Sequence, residues 1–274
     1  GLETVIDFGD LPVFKDATTY PCIMVLERGK EGTTFRAAEP EELAPADLSG
    51  YLQKRFFTMQ TTSLDPEGWT LMDEASLKLL EKLKKVGTPL GEYVGGKIYY
   101  GIKTGLNEAF VVDRETKDRL IAEDPRSAEV LKPFLAGRDI KRYEQPVADK
   151  WLIFFPKGWT AQQGFSGRGA WAALEVKYPA IARWLAPLEE AGKKRCDQGD
   201  YWWELRACDY YGEFEKPKMM LPDISLRGNF ILDETGGWMC ANTCYILCNA
   251  EKWVLAIMNS NLLTWSYGNI STKF

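Results

Sequence analysis

Two kinds of apolar pattern occur in this chain, and their order constrains the fold more than any other feature. Short continuous apolar runs, Cys22-Ile23-Met24-Val25-Leu26 and Trp151-Leu152-Ile153-Phe154-Phe155, have the length of strands and read as strands buried on both faces. Amphipathic spacing marks helices over 73–83 and 116–123 and across 169–195, where Lys177-Tyr178-Pro179 interrupts the pattern and proline starts a new turn. The two kinds do not alternate. A doubly wound parallel sheet needs βαβ alternation, so the chain reads as α+β built on a mixed sheet.

The punctuation divides the chain into three. Residues 1–30 hold two β-prone stretches, the first of them Thr4-Val5-Ile6-Asp7-Phe8, broken by Gly9-Asp10. Residues 31–74 are rich in Gly, Pro, Ala and Glu and read as a linker or surface excursion. Residues 75–274 read as the main unit. Asp73 is placed to cap the helix that follows it, and Gly87, Pro89 and Gly91 to end that helix. Residues 91–112, dense in glycine and aromatics, predict strand–turn–strand. Residues 127–135 predict a helix ended by Gly137. Strands are predicted over 218–221, 229–232 and 243–247, and a last helix over 253–263. The opening GLETVIDFGDL reads as the middle of a fold, so the sequence is expected to be part of a longer polypeptide.

The chain contains no histidine, which removes Ser-His-Asp and Cys-His catalysis and the HExxH zinc site. Its six cysteines form no CxxC pair, and Cys240, Cys244 and Cys248 read as small apolar residues of a buried segment, with no metal expected. No GxGxxG follows a strand and no phosphate loop occurs. No run of 18 apolar residues and no signal peptide is present, so a cytoplasmic location with reduced thiols and no membrane partner is expected. The net charge of −5 weighs against nucleic-acid binding unless the lysines and arginines gather on one face.

Several ordered motifs then stand together: Gly101-Ile102-Lys103-Thr104-Gly105-Leu106-Asn107-Glu108-Ala109-Phe110, Lys132-Pro133-Phe134-Leu135-Ala136-Gly137-Arg138-Asp139-Ile140-Lys141-Arg142-Tyr143, Asp197-Gln198-Gly199 with Tyr201-Trp202-Trp203-Glu204-Leu205-Arg206, and Lys216-Pro217-Lys218. Over about residues 85–274 these resemble the C-terminal specificity domain of Taq-type adenine-N6 DNA methyltransferases and of fused type IIG restriction-modification enzymes. Ile6-Asp7-Phe8-Gly9-Asp10, Val13-Phe14 and Ala17-Thr18-Thr19-Tyr20-Pro21 look like the last strands of the methyltransferase α/β domain that precedes it in that family. The family's Asn/Asp-Pro-Pro-Tyr/Phe motif does not occur here. The resemblance therefore implies a DNA target-recognition domain without catalytic residues or a cofactor of its own. Methylation, and S-adenosylmethionine, would belong to an upstream domain of the same chain. Whether the parent enzyme also cuts DNA, as the fused forms do, stays open.

Recognition of duplex DNA needs cations for phosphates and Arg, Lys, Asn or Gln for base edges. Lys103, Thr104 and Asn107 are the first candidates, with Gly105 allowing close approach of the backbone. Arg138, Lys141 and Arg142 are the second group, Arg138 being open to a buried ion pair with Asp139 instead. Arg206, Ser225 and Arg227 are the third, with Asp223 beside them. Lys193-Lys194-Arg195 reads equally as a solvated helix end, where cations oppose the helix dipole. Trp202 and Trp203 read first as core. By the resemblance, Phe14 is the aromatic that stacks on a flipped target adenine. Two other readings stay open: an aromatic-rich carbohydrate or small-ligand module, from ten tryptophans and twelve tyrosines, and a subunit-interaction domain.

Overall fold

The β-prone opening of the chain forms a strand, Leu2–Asp7 (β1), that pairs antiparallel with Cys22–Leu26 (β2) and parallel with Thr34–Ala38 (β3). β3 pairs antiparallel with Phe57–Gln60 (β4), giving the order β2-β1-β3-β4. The structure is a computed structural model and describes residues 1–270 except positions 18, 30, 31, 44–46, 65 and 67. It divides into two compact units, Gly1–Pro89 with the residues from Trp265 onward, and Leu90–Thr264.

In the first unit alternation along β1 and β3 buries both sheet faces. Val5 and Ala37 pair on one face with Phe35 and Met59, and Ile6 and Ala38 pair on the other with Leu52. Two expectations are corrected here. Residues 31–74 are not a linker throughout, because β3 and β4 complete the sheet and a helix, Leu48–Gln53, covers it. Thr18, part of the family-like opening segment, lies outside the described residues. And β2 is not buried on both faces. It is the edge strand and all five residues are exposed, Leu26 to 69%. Asp73 caps the helix Glu74–Val86 as predicted, accepting from the backbone N–H of Ala75 and Ser76 at 2.9 Å each.

The second unit holds eight strands in chain order: Ile98–Tyr100 (β5), Val111–Asp113 (β6), Leu131–Leu135 (β7), Lys150–Ile153 (β8), Lys218–Pro222 (β9), Ile231–Asp233 (β10), Met239–Cys240 (β11) and Cys244–Leu247 (β12). One sheet, β10-β9-β12-β5, is antiparallel throughout. The other, β11-β7-β8-β6, is mixed, with β11 parallel to β7. The α+β reading with mixed sheets stands. A smaller apolar cluster of Val94, Met219, Leu247 and Val254 and one main core serve this unit, the main core built from Phe110, Leu135, Leu152, Ile153, Phe155, Leu174, Ile181 and Leu185. Cys240, Cys244 and Cys248 lie buried in it. Burial pushes the Cys240 thiol well up and that of Cys248 to about 11, so both stay protonated at neutral pH.

Two local readings fail for identifiable reasons. Residues 127–135 are not a helix: a 3-10 turn, Pro125–Glu129, leads into β7. Pro133 cannot donate inside a helix, and it sits opposite Trp151 in the sheet. Residues 91–112 are not a hairpin, because β5 pairs with β12 and β6 with β8. Among the described residues no helix is long and apolar enough to cross a membrane.

Candidate nucleic-acid interface

The three-residue turn Ala241-Asn242-Thr243 between β11 and β12 is the centre on which the predicted segments meet. Gly101 N–H donates to the Cys244 carbonyl at 2.8 Å, Ile102 N–H to the Cys240 carbonyl at 2.7 Å, and Asn242 N–H back to the Ile102 carbonyl at 3.1 Å. Gly137 N–H donates to Thr243 Oγ1 at 3.0 Å. Asp223 N–H donates to the Thr243 carbonyl at 2.8 Å. Loops 101–107, 137–142 and 223–227, separated by long stretches of sequence, are thereby tied to one turn.

Glycine is required at two of these ties. A Cβ on Gly101 would lie 1.9 Å from the Ala241 carbonyl oxygen, and one on Gly137 would lie 2.5 Å from the Thr243 carbonyl oxygen. Both obstacles are backbone and cannot rotate away. Gly101→Ala is expected to lower stability by about 3 kcal/mol, the upper end for overpacking, as read by urea denaturation. An unchanged midpoint would show that the loop and turn are not held in contact.

Lys103 and Arg206 are brought together by a shared carboxylate. Lys103 Nζ lies 2.9 Å from Asp197 Oδ2 and Arg206 Nη1 lies 3.4 Å from Asp197 Oδ1. The hydrogen bond from Lys103, helped by Arg206, holds the Asp197 carboxyl below its ordinary value against the opposing effect of burial. Both cations stay substantially exposed, at 55% and 46% of their side chains. With Tyr100, Tyr210, Tyr211, Asp223 and Asn242 they line a cavity of about 390 Å³. Tyr100 packs against Tyr245 with ring centroids 4.3 Å apart.

The other predicted residues divide by role. Arg138 is exposed, its Nε 3.8 Å from Asp139 Oδ1, and no buried ion pair forms. Asp139 instead accepts from the Ala136 N–H. Lys141 and Arg227 are exposed. Thr104 is corrected from a phosphate contact to a brace: it is buried, its hydroxyl donates to Asn107 Oδ1 at 2.6 Å and accepts from Leu106 N–H, and so it also occupies Asn107. Arg142 is half-buried and donates to the Asn259 carbonyl at 2.9 Å. Ser225 is likewise a brace, donating to the Arg227 carbonyl and accepting from Asn229 Nδ2 at 2.9 Å. Phe14, in the first unit, is 57% exposed. Of the cations predicted to meet DNA, those that face outward are Lys103, Arg138, Lys141, Arg206 and Arg227.

Sequence reasoning missed two participants. Arg195, read as one of three solvated cations, is buried and donates to the carbonyls of Thr104, Trp202 (2.6 Å) and Glu204 (2.8 Å), with its guanidinium 4.4 Å over the Phe110 ring. Burial pushes its pKa down to about 10, which leaves it cationic at neutral pH. Asn242 has no local signal, since its position depends on contacts with loops distant in sequence. The aromatics of Tyr201-Trp202-Trp203 are not a ligand platform: both tryptophans are buried, with Trp203 Nε1 donating to Thr160 Oγ1.

The family model of the TaqI-like C-terminal specificity domain matches residues 132–274, more than half of the chain. Aligned over 280 residues, the chain is 24% identical to the type II methyltransferase M.PaeR7I of Pseudomonas aeruginosa, an alignment that covers 96% of this chain and 45% of that protein. Its fold is similar to that of the type IIL restriction-modification enzyme MmeI, solved in complex with DNA, with a TM-score of 0.56 and 13% identity over 100% of this chain and 33% of that one. The chain thus spans less than half the length of both proteins.

Proposed function

The chain belongs to the family of TaqI-like C-terminal specificity domains, and on that premise we propose that it recognises a specific sequence in duplex DNA and holds it for adenine-N6 methylation by an upstream domain of the same polypeptide. The observation that carries this reading is the convergence of three cation-bearing loops on the Ala241–Thr243 turn, with Lys103 and Arg206 exposed beside Asn242. Exposed cations on a rigid frame supply phosphate contacts, and polar side chains between them face base edges. The similarity to a methyltransferase and to an enzyme solved with DNA supports the same reading.

The first unit supports the upstream partner. The run Cys22–Leu26 is apolar, yet every residue of β2 is exposed. An exposed apolar edge strand invites pairing and burial. In this reading the rest of a methyltransferase domain covers it, and Phe14 stacks on the extruded adenine. S-adenosylmethionine belongs to that upstream part. The buried polar side-chain atoms left without a partner among the described residues, Asp124 Oδ2 and Ser127 Oγ, belong to one short turn and offer no set of donors for it. No step of methyl transfer is assigned to this chain.

Titration of the 274-residue chain with duplex DNA across a salt series tests the reading. Replacing Lys103 and Arg206 together by alanine is expected to weaken binding and to flatten the salt dependence by about 1.8, at about 0.9 for each phosphate no longer neutralised. Binding that ignores salt, or a slope unchanged in the double variant, would remove these two residues from the interface.

A further inference from the structure

We infer that Asn242 is a specificity-determining residue that reads an adenine through its side-chain amide. The inference rests on the DNA-recognition reading above and goes beyond it to one residue and one base.

Asparagine in a tight turn ordinarily has one of two local reasons. It adopts a left-handed backbone conformation, or its side chain hydrogen-bonds the backbone of its own turn. Neither applies here. The non-glycine residues with positive φ among the described residues are Tyr143 and Asn249, so Asn242 has an ordinary backbone conformation. Its side chain has no hydrogen-bond partner among the described residues, and the turn does without it. The Ala241 N–H donates to Leu135, the Ala241 carbonyl accepts from Cys244 N–H, the Asn242 N–H donates to Ile102, and the Thr243 carbonyl and hydroxyl accept from Asp223 and Gly137. Local structure therefore does not explain this residue.

The same bonds fix the backbone that carries the amide. That backbone is tied on each side to other segments, so the side chain springs from a frame with little backbone freedom to lose on binding. It is exposed and lines the cavity that Lys103 and Arg206 flank. Those two cations suit phosphates, and an amide on the same cavity suits a base edge. A carboxamide offers one acceptor and two donors, the pattern that pairs bidentately with N6 and N7 of adenine in the major groove. Asp223, on the same cavity, is an acceptor only and adds no donor for N7.

Selection of binding sites by the 274-residue chain from a pool of randomised duplexes tests this, with Asn242→Ala and Asn242→Asp carried in parallel. Both variants are expected to fold, because the side chain carries none of the turn's bonds; matching thermal midpoints check it. The wild-type chain is expected to enrich a site with adenine at one position. Asn242→Ala keeps the other positions and the salt slope but loses that preference, with discrimination falling about tenfold or more. Asn242→Asp, an acceptor without donors, moves the preference at that position from adenine toward cytosine, whose N4 amino group it can accept from. Variants that enrich the unchanged site overturn the assignment while leaving DNA recognition standing. A wild-type chain that enriches no site overturns the recognition reading, and the assignment with it.

Discussion

Replacing Arg195 by methionine is expected to lower stability by about 4 kcal/mol. The guanidinium is buried and serves the carbonyls of Thr104, Trp202 and Glu204. Methionine fills much of the volume over Phe110 but donates nothing; the Glu204 carbonyl keeps the Gly199 N–H at 3.2 Å, while those of Thr104 and Trp202 are left unpaired, at about 1–3 kcal/mol each. The effect is also directional. Thr104 closes the turn that presents Lys103, so losing its carbonyl tie loosens that loop before the rest of the unit. Amide exchange at 101–107 should therefore rise more than in β8. Arg195→Lys is expected to fall between, since an ammonium on a flexible stem cannot match a planar fork aimed at three acceptors. Urea denaturation of the three chains decides the matter. A loss under about 1 kcal/mol for the methionine variant would mean that those carbonyls find other partners.

Arg195 also shows where the sequence stops being informative. Features set by neighbouring residues are legible. The run Trp151-Leu152-Ile153-Phe154-Phe155 marks a buried strand, β8, and Asp73 marks a helix cap. Where a local expectation fails, as for the helix expected over 127–135, the chemistry of Pro133 explains the error. The role of Arg195 has no local signature. A cation closing a basic helix end looks solvated until Thr104, 91 residues away, supplies its acceptor. β11 has two residues and exists through pairing with β7, so no periodicity could announce it. The candidate interface is legible in parts, since loops 101–107, 137–142 and 223–227 each carry polar or cationic residues that single them out. Their common centre is not, because Gly101, Gly137 and the Asp223 N–H meet at the Ala241–Thr243 turn only once the chain has folded. Thr104, Arg142 and Ser225 carry the right polar chemistry for DNA, and the fold uses it internally instead.

Lys218→Met is expected to destabilise the chain by about 3–5 kcal/mol, the range for removing one partner of a buried ion pair. Lys218 Nζ lies 2.6 Å from Asp233 Oδ2, and both side chains are almost fully buried, at 0% and 2% exposure. Asp233 Oδ1 accepts from the Thr235 and Gly236 N–H groups, and Oδ2 also accepts from Trp238 N–H at 3.0 Å. That carboxylate therefore shapes the turn that feeds β11 and, through it, Ala241–Thr243. Burial alone would raise the Asp233 pKa, but the Lys218 hydrogen bond and the Trp238 N–H outweigh it and the net shift is downward. A lowered carboxylate pKa stabilises the fold above the unfolded value of about 3.9, and the contribution is lost as pH falls through the folded value. Without Lys218 the carboxylate loses its strongest support, binds a proton more readily, and gives up less on acidification. The stability gap between wild type and Lys218→Met should thus be widest near neutral pH and narrow as pH falls below about 4. Urea midpoints at pH 7 and at low pH measure it. A gap that stays constant with pH would mean that the loss comes from packing around the lysine stem and from its bond to the Phe214 carbonyl, at 2.6 Å, and not from the charge on Asp233.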